Sequence, residues 1–223
     1  MRKPAALVTV CGAALMGLGL LGCSDPSEKL DVSDRDVCLR ALRECAAGGS
    51  DEAVDRVAAV VAHDDTLLAA EAIRTLGRMD TPHAVEVLCE MASGAREKRG
   101  GLRQEAVVQL GRQQTPETLK VLRQVVKMDP DPRVRVGAIT SLARQRSLED
   151  VPLLVEVAET DADPLVQARA VGAVERLVQL KFRYNPAGTP EERQEALRRM
   201  RSLALTAARA VKTWRDVREQ ERK

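Results

Sequence analysis

The sequence predicts an all-α protein: an α-solenoid of stacked helical hairpins, followed by one C-terminal helix. Three observations carry this expectation. First, a seven-residue segment recurs in phase. Residues 72–78 read Ala-Ile-Arg-Thr-Leu-Gly-Arg, 106–112 Ala-Val-Val-Gln-Leu-Gly-Arg, 138–144 Ala-Ile-Thr-Ser-Leu-Ala-Arg and 170–176 Ala-Val-Gly-Ala-Val-Glu-Arg, at offsets of 34, 32 and 32. A fixed period of this length marks a repeat array. Second, helix starts are punctuated in step with it. Thr81-Pro82, Thr115-Pro116 and Ser147-Leu148 precede apolar runs, and Asp131-Pro132 and Asp163-Pro164 precede the recurring segment. A hydroxyl or carboxylate caps a helix, and proline suits its first turn. Third, residues 24–181 contain no Phe, Tyr or Trp. A core of Ala, Val and Leu suits closely packed helices better than a sandwich or barrel.

The elements follow in chain order. Arg2 and Lys3 precede a stretch, 5–21, that is apolar or small apart from Thr9. This is the pattern of a secretory signal peptide, placed at 1–22. It ends Leu20-Leu21-Gly22-Cys23, which resembles the lipobox of bacterial lipoproteins. The resemblance implies diacylglyceryl transfer to the Cys23 sulfur, cleavage before Cys23, and acyl chains such as palmitate that hold the protein to a membrane. Two or more chains suffice for stable anchoring. Ser24 is not the Asp that retains such proteins at the inner membrane of enteric bacteria, so the resemblance favours the periplasmic face of the outer membrane. Residues 17–22 also match G-x-G-x-x-G, but no strand precedes them and no dinucleotide site is inferred. Residues 23–33 are polar and include Pro26; they read as a tether with a reach of at most about 35 Å.

Residues 34–181 form the repeat region. Ser50, Thr81, Thr115 and Ser147 open the second helix of successive hairpins, and Asp65, Asp131 and Asp163 open the first helix of the next. Val85 and Leu88, Leu119 and Leu122, and Val151 and Leu154 step by three, as on a helix face. The opening Asp-Pro-x-Val-Arg, followed by Ala-x-x-x-Leu-Gly, resembles HEAT-type repeats, including the phycobilisome-lyase subtype. The resemblance implies a curved rod whose extended face holds another protein. It also implies an alternative, an enzyme or enzyme subunit of the bilin-lyase type. A secretory lipid anchor argues against that cytoplasmic chemistry, and the expectation is a protein-binding scaffold that is not an enzyme.

One turn departs from the pattern. Residues 93–103 are basic and glycine-rich, and Arg99 stands where a capping Asp belongs. Arg96, Lys98 and Arg99 are candidates for contact with an acidic partner or lipid headgroups, beside the plainer reading of a tolerated insertion. Residues 182–223 hold Phe182, Tyr184 and Trp214, the only aromatics of the chain. A loop through Pro186 and Gly188 leads to Thr189-Pro190-Glu191, a helix start, and a helix is expected to run to about residue 220. Leu197, Met200, Ala204, Ala207, Val211 and Trp214 form its apolar seam. The Tyr-Asn-Pro loop and the Pro-Glu-Glu-Arg start resemble a tail found in some bacterial HEAT-repeat lipoproteins. The helix is expected to cap the last repeat, with Tyr184 and Trp214 as candidate partner contacts.

Charge and motif content narrow the chemistry. The chain has 35 Lys+Arg and 33 Asp+Glu, and removing residues 1–22 leaves 33 of each. A net charge of zero argues against nucleic acid as a partner. Cys38 and Cys45 are seven apart, beyond disulfide reach along one helix; Cys89, on another helix, could pair with one of them, beside the reading of all three as small core residues. His63 and His83 begin no His-Glu pair, so the ligands of di-iron HEAT-type hydroxylases are missing. No metal, cofactor or catalytic residue is expected. The in-phase Arg78, Arg112, Arg144 and Arg176 suit helix carboxyl ends.

Overall fold

A computed structural model describes residues 26–47 and 49–220. Among the described residues there are ten α-helices and no strand. They are α1 (Arg35–Cys45), α2 (Asp51–Val61), α3 (Thr66–Met79), α4 (Pro82–Ala92), α5 (Gly100–Leu110), α6 (Pro116–Met128), α7 (Pro132–Arg144), α8 (Val151–Thr160), α9 (Pro164–Val178) and α10 (Pro190–Gln220). The chain is an all-α solenoid. Odd-numbered helices stack on one another as one layer, the A layer, and even-numbered helices form the B layer. Cys23 and the proposed signal segment lie outside the described residues.

The capping chemistry anticipated in the sequence is present at most helix starts. Asp34, Asp65, Asp131 and Asp163 accept backbone N–H bonds at the starts of A helices, and Ser50, Thr81 and Thr115 do so for B helices. Each satisfies amide donors that a helix start leaves free. Two starts differ. Ser147 caps a 3-10 turn, Leu148–Asp150, and α8 begins only at Val151. At α5, Arg99 makes no side-chain cap bond.

The A helices approach closely because their interfaces carry small residues. A Cβ on Gly111 would strike the side chain of Ser141 in α7, and one on Gly77 would strike Gln109 in α5. Leu42, Leu76, Leu110, Leu142 and Val174 stand at the centre of one continuous aliphatic core.

Both ends of the array are covered by chain from outside the repeats. Pro26–Lys29, within the segment expected to be a tether, forms a 3-10 turn against α1 and α2. Ser27 is buried there and accepts a hydrogen bond from Arg56 Nη1 at 2.8 Å. At the other end α10 takes the B position of the last unit and packs on α8 and α9. Its start is a capping box: Glu192 N donates to Thr189 Oγ1 at 3.2 Å, and Thr189 N donates to Glu192 Oε2 at 2.9 Å. Ala196, Met200, Ala204 and Ala208 face the solenoid. The buried stripe thus steps by four, and Leu197 and Ala207 of the expected seam sit half-buried beside it.

Candidate functional site

The turns between units hold two bidentate, largely buried Arg–Asp pairs. In the first turn of α5, buried Arg103 grips Asp129 bidentately, Nε to Oδ2 at 2.8 Å and Nη2 to Oδ1 at 2.9 Å. Arg103 also donates to the Lys98 carbonyl in the preceding turn. One unit on, Arg135 grips Asp161 in the same way at 2.9 and 2.8 Å, and donates to the Asp129 carbonyl at 2.8 Å. Gln167 is next in phase; it donates to the Asp161 carbonyl at 2.7 Å, and Tyr184 OH meets its Oε1 at 3.4 Å. Arg135 therefore joins the C-terminal ends of α6 and α8, Arg103 joins the end of α6 to the turn before α5, and Gln167 reaches the end of α8 alone. Bidentate Arg–carboxylate pairs fix geometry as well as charge. The signal for this ladder was in the sequence, as a polar residue at 103, 135 and 167.

Arg99 does related work at the end of α2. It donates to the His63 carbonyl at 3.0 Å and to the Val61 carbonyl. Its Nε and Nη2 hold Glu97 at 3.0 and 2.8 Å. Burial acts to raise the Glu97 carboxyl, but the hydrogen bonds from Arg99 outweigh it and hold the group below the usual carboxylate range. Of the basic loop candidates, Arg99 is thus turned inward. Lys98 Nζ donates to the Gly94 carbonyl, and exposed Arg96 pairs with Glu90 at 3.4 Å. Tyr184 is half-buried against the last repeat. The backbone of Trp214 belongs to α10, but its side chain lies outside the described residues. In the arginine series, Arg78 pairs with Glu71 at 2.8 Å and Arg112 donates to Gln109 at 3.0 Å.

Three grooves run along the B layer. The first, about 220 Å³, lies between α4 and α6 and is lined by Lys98, Gln124 and Met128. The second, about 430 Å³, lies between α6 and α8 and is lined by Met128, Lys127 and Glu156. The third, about 440 Å³, lies between α8 and α10 and is lined by Pro152, Val155, Arg201 and Leu205. Met128 borders the first two and is 74% exposed, more than any other large apolar residue described.

Among the described residues, no group of three or more His, Cys, Asp or Glu is placed to hold a metal ion, and no helix is long and apolar enough to cross a membrane. Cys38 and Cys45 are buried and Cys89 half-buried, with no disulfide among them. Burial pushes the Cys89 thiol up to about 11, so it carries little thiolate at neutral pH. His83 Nε2 lies 3.1 Å from Asp55 Oδ1, a hydrogen bond that raises its pKa above the usual histidine value.

HEAT repeats match the chain over residues 26–100 and 94–175. The solved structures similar to it include three of note. One is the complex of CpcE and CpcF of phycocyanin lyase from Nostoc sp. PCC7120, at 21% identity over 66% of this chain and 95% of that one, with a TM-score of 0.48. Another is human deoxyhypusine hydroxylase in complex with glycerol, at 22% identity over 77% and 69% with a TM-score of 0.49. The third is an engineered protein, at 18% identity over 83% and 95% with a TM-score of 0.45. No curated protein matches the chain. Two of these three are structures of an enzyme or an enzyme subunit, so the expectation that the chain is not an enzyme does not stand. With HEAT repeats covering most of its length, the chain belongs to the HEAT-repeat family.

Proposed function

We propose that this HEAT-repeat chain binds a protein partner at the cell envelope, through the B-layer grooves beside Met128, while a lipid on Cys23 ties it to a membrane. The observation that carries the binding reading is Met128 itself. It stands 74% exposed between two grooves, where the neighbouring Arg103 and Arg135 are already committed to Asp129 and Asp161. An unbranched thioether adapts to varied apolar surfaces. The occupant that fits offers an apolar side chain to Met128 and an acidic group to Lys98. The lipid anchor is supported by the Leu20-Leu21-Gly22-Cys23 sequence after an apolar run. In a cell with two membranes, the periplasmic face of the outer membrane is its place in this reading.

Affinity-tagged full-length chain, recovered from native membranes, tests both parts. A stoichiometric protein should accompany the wild type and be lost from Met128→Asp, whose side chain is exposed and whose fold is therefore kept. Cys23→Ala should leave the membrane fraction. A partner that Met128→Asp retains in full would place binding elsewhere, and membrane association without Cys23 would remove the anchor.

A further inference from the structure

The three grooves of the B layer form one row. Met128 lines the first and the second, and Glu156 and Thr160 line the second and the third. At about 220, 430 and 440 Å³, each holds a side chain or two rather than the side of a helix about 10 Å across. The helices that bound them pack in order, α4 on α6, α6 on α8 and α8 on α10, and packed helices lie about 8–10 Å apart. A polyproline II segment makes one turn in three residues, about 9.3 Å, and so presents residues i, i+3 and i+6 on one face at that spacing. A β-strand turns residue i+3 to the opposite face, and among the described residues there is no strand edge for one to pair with.

Charge fixes the order of side chains. Five cations line the row: Lys98, Arg103, Lys127, Arg135 and Arg201. Arg103 is spent on Asp129, Arg135 on Asp161 and Arg201 on Glu159, and Lys127 lies 3.5 Å from Glu156. Exposed Lys98, in the first groove, donates to the Gly94 carbonyl and pairs with no carboxylate among the described residues. The second groove offers Met128 and Val157, and the third has an apolar floor of Pro152, Val155 and Leu205.

We propose that the partner enters this row as a linear segment in polyproline II conformation, crossing the B helices. Its acidic side chain meets Lys98, and apolar side chains three and six residues away fill the second and third grooves. The inference rests on the groove reading above and adds to it a conformation, a spacing and an order of side chains.

The test selects random linear dodecapeptides, displayed on phage, against full-length chain in detergent. The recovered peptides should share an acidic residue with apolar residues three and six positions away, and Met128→Asp should not bind them. Synthetic copies are then titrated by fluorescence polarisation. One residue inserted between the acidic and the nearer apolar position should weaken binding about tenfold. Lys98→Glu should weaken it at least about fivefold, and a peptide with Lys in place of its acid should regain binding to Lys98→Glu. Leu205→Ser should abolish the preference at the far apolar position alone. Lys98 and Met128 are exposed, so both variants keep the fold, which thermal unfolding verifies. Peptides that Met128→Asp still binds would overturn the groove reading together with this inference. Peptides that need Met128 but carry helical spacing, tolerate the inserted residue or ignore Lys98→Glu would overturn this inference and leave that reading standing, as would a selection that recovers no binder.

Discussion

The middle of the array and its last helix treat their surfaces in opposite ways. Between α5 and α8 each A helix is covered by neighbours on both sides, and the polar groups at the turns are spent on each other: Arg103 on Asp129, Arg135 on Asp161. Among its described side chains, helix α10 buries one stripe, Ala196, Met200, Ala204 and Ala208, and its ion pair Arg201 to Glu159 at 2.7 Å is partly open to solvent. The contrast separates two uses of arginine in one chain. A buried pair locks unit to unit, whereas an exposed one adds little.

The largest test of this contrast is in the core. Leu110 is fully buried in the last turn of α5. Leu110→Asp places an unpaired charge there and should unfold the array, at a cost of several kcal/mol; a small change in denaturation midpoint would break the repeat assignment. Next is the buried pair. Asp129→Ala leaves the Arg103 guanidinium buried without its carboxylate and should cost about 3–5 kcal/mol. Arg201→Ala in α10 should cost about 0–1 kcal/mol. Equal effects in chemical denaturation would show that the two regions are held alike. Between these, Thr189→Ala removes one side of the capping box and should cost about 1 kcal/mol, read as earlier loss of α10 than of the repeats.

Much of this was legible from local chemistry. The phase of the repeat and the capping residues at Asp65, Thr81, Thr115, Asp131 and Asp163 act within a few residues of themselves, so the sequence displays them directly. Arg99 showed in the sequence only as a departure from the capping pattern, because its partners, the carbonyls of Val61 and His63, lie 38 and 36 residues away. The ladder of residues 103, 135 and 167 was visible as a period, but its purpose depends on B-helix ends that only the folded array brings together. The α10 seam was correct in kind and shifted in detail. Packing against α8 and α9 selects Ala196, Met200, Ala204 and Ala208, which a helical wheel cannot distinguish from a stripe through Leu203. The residues around Ser27 looked like tether because nothing local announces their contact with Arg56.

The smallest predicted effect concerns the surface of the B layer, where α2 and α4 meet far from the buried ladder. His83, at the start of α4, shares a hydrogen bond with Asp55 of α2, and Glu86 lies 3.6 Å from its other ring nitrogen. The hydrogen bond that His83 donates to Asp55 favours the charged imidazolium and raises its pKa in the folded state. A histidine raised on folding contributes stability that is complete below its unfolded value, about 6.5, and is lost as pH rises through the higher folded value. The folded protein should therefore be slightly more stable at pH 6 than at pH 8 on account of this pair. An NMR titration should place His83 above the ordinary histidine value, and Asp55→Asn should lower it and flatten that part of the stability profile. Because both partners reach solvent, salt should weaken the effect, whereas the Arg103–Asp129 pair should be far less sensitive to salt. If His83 titrates at the ordinary value, then the Asp55 contact adds no stability, and the contrast between this exposed pair and the buried Arg103–Asp129 pair becomes sharper.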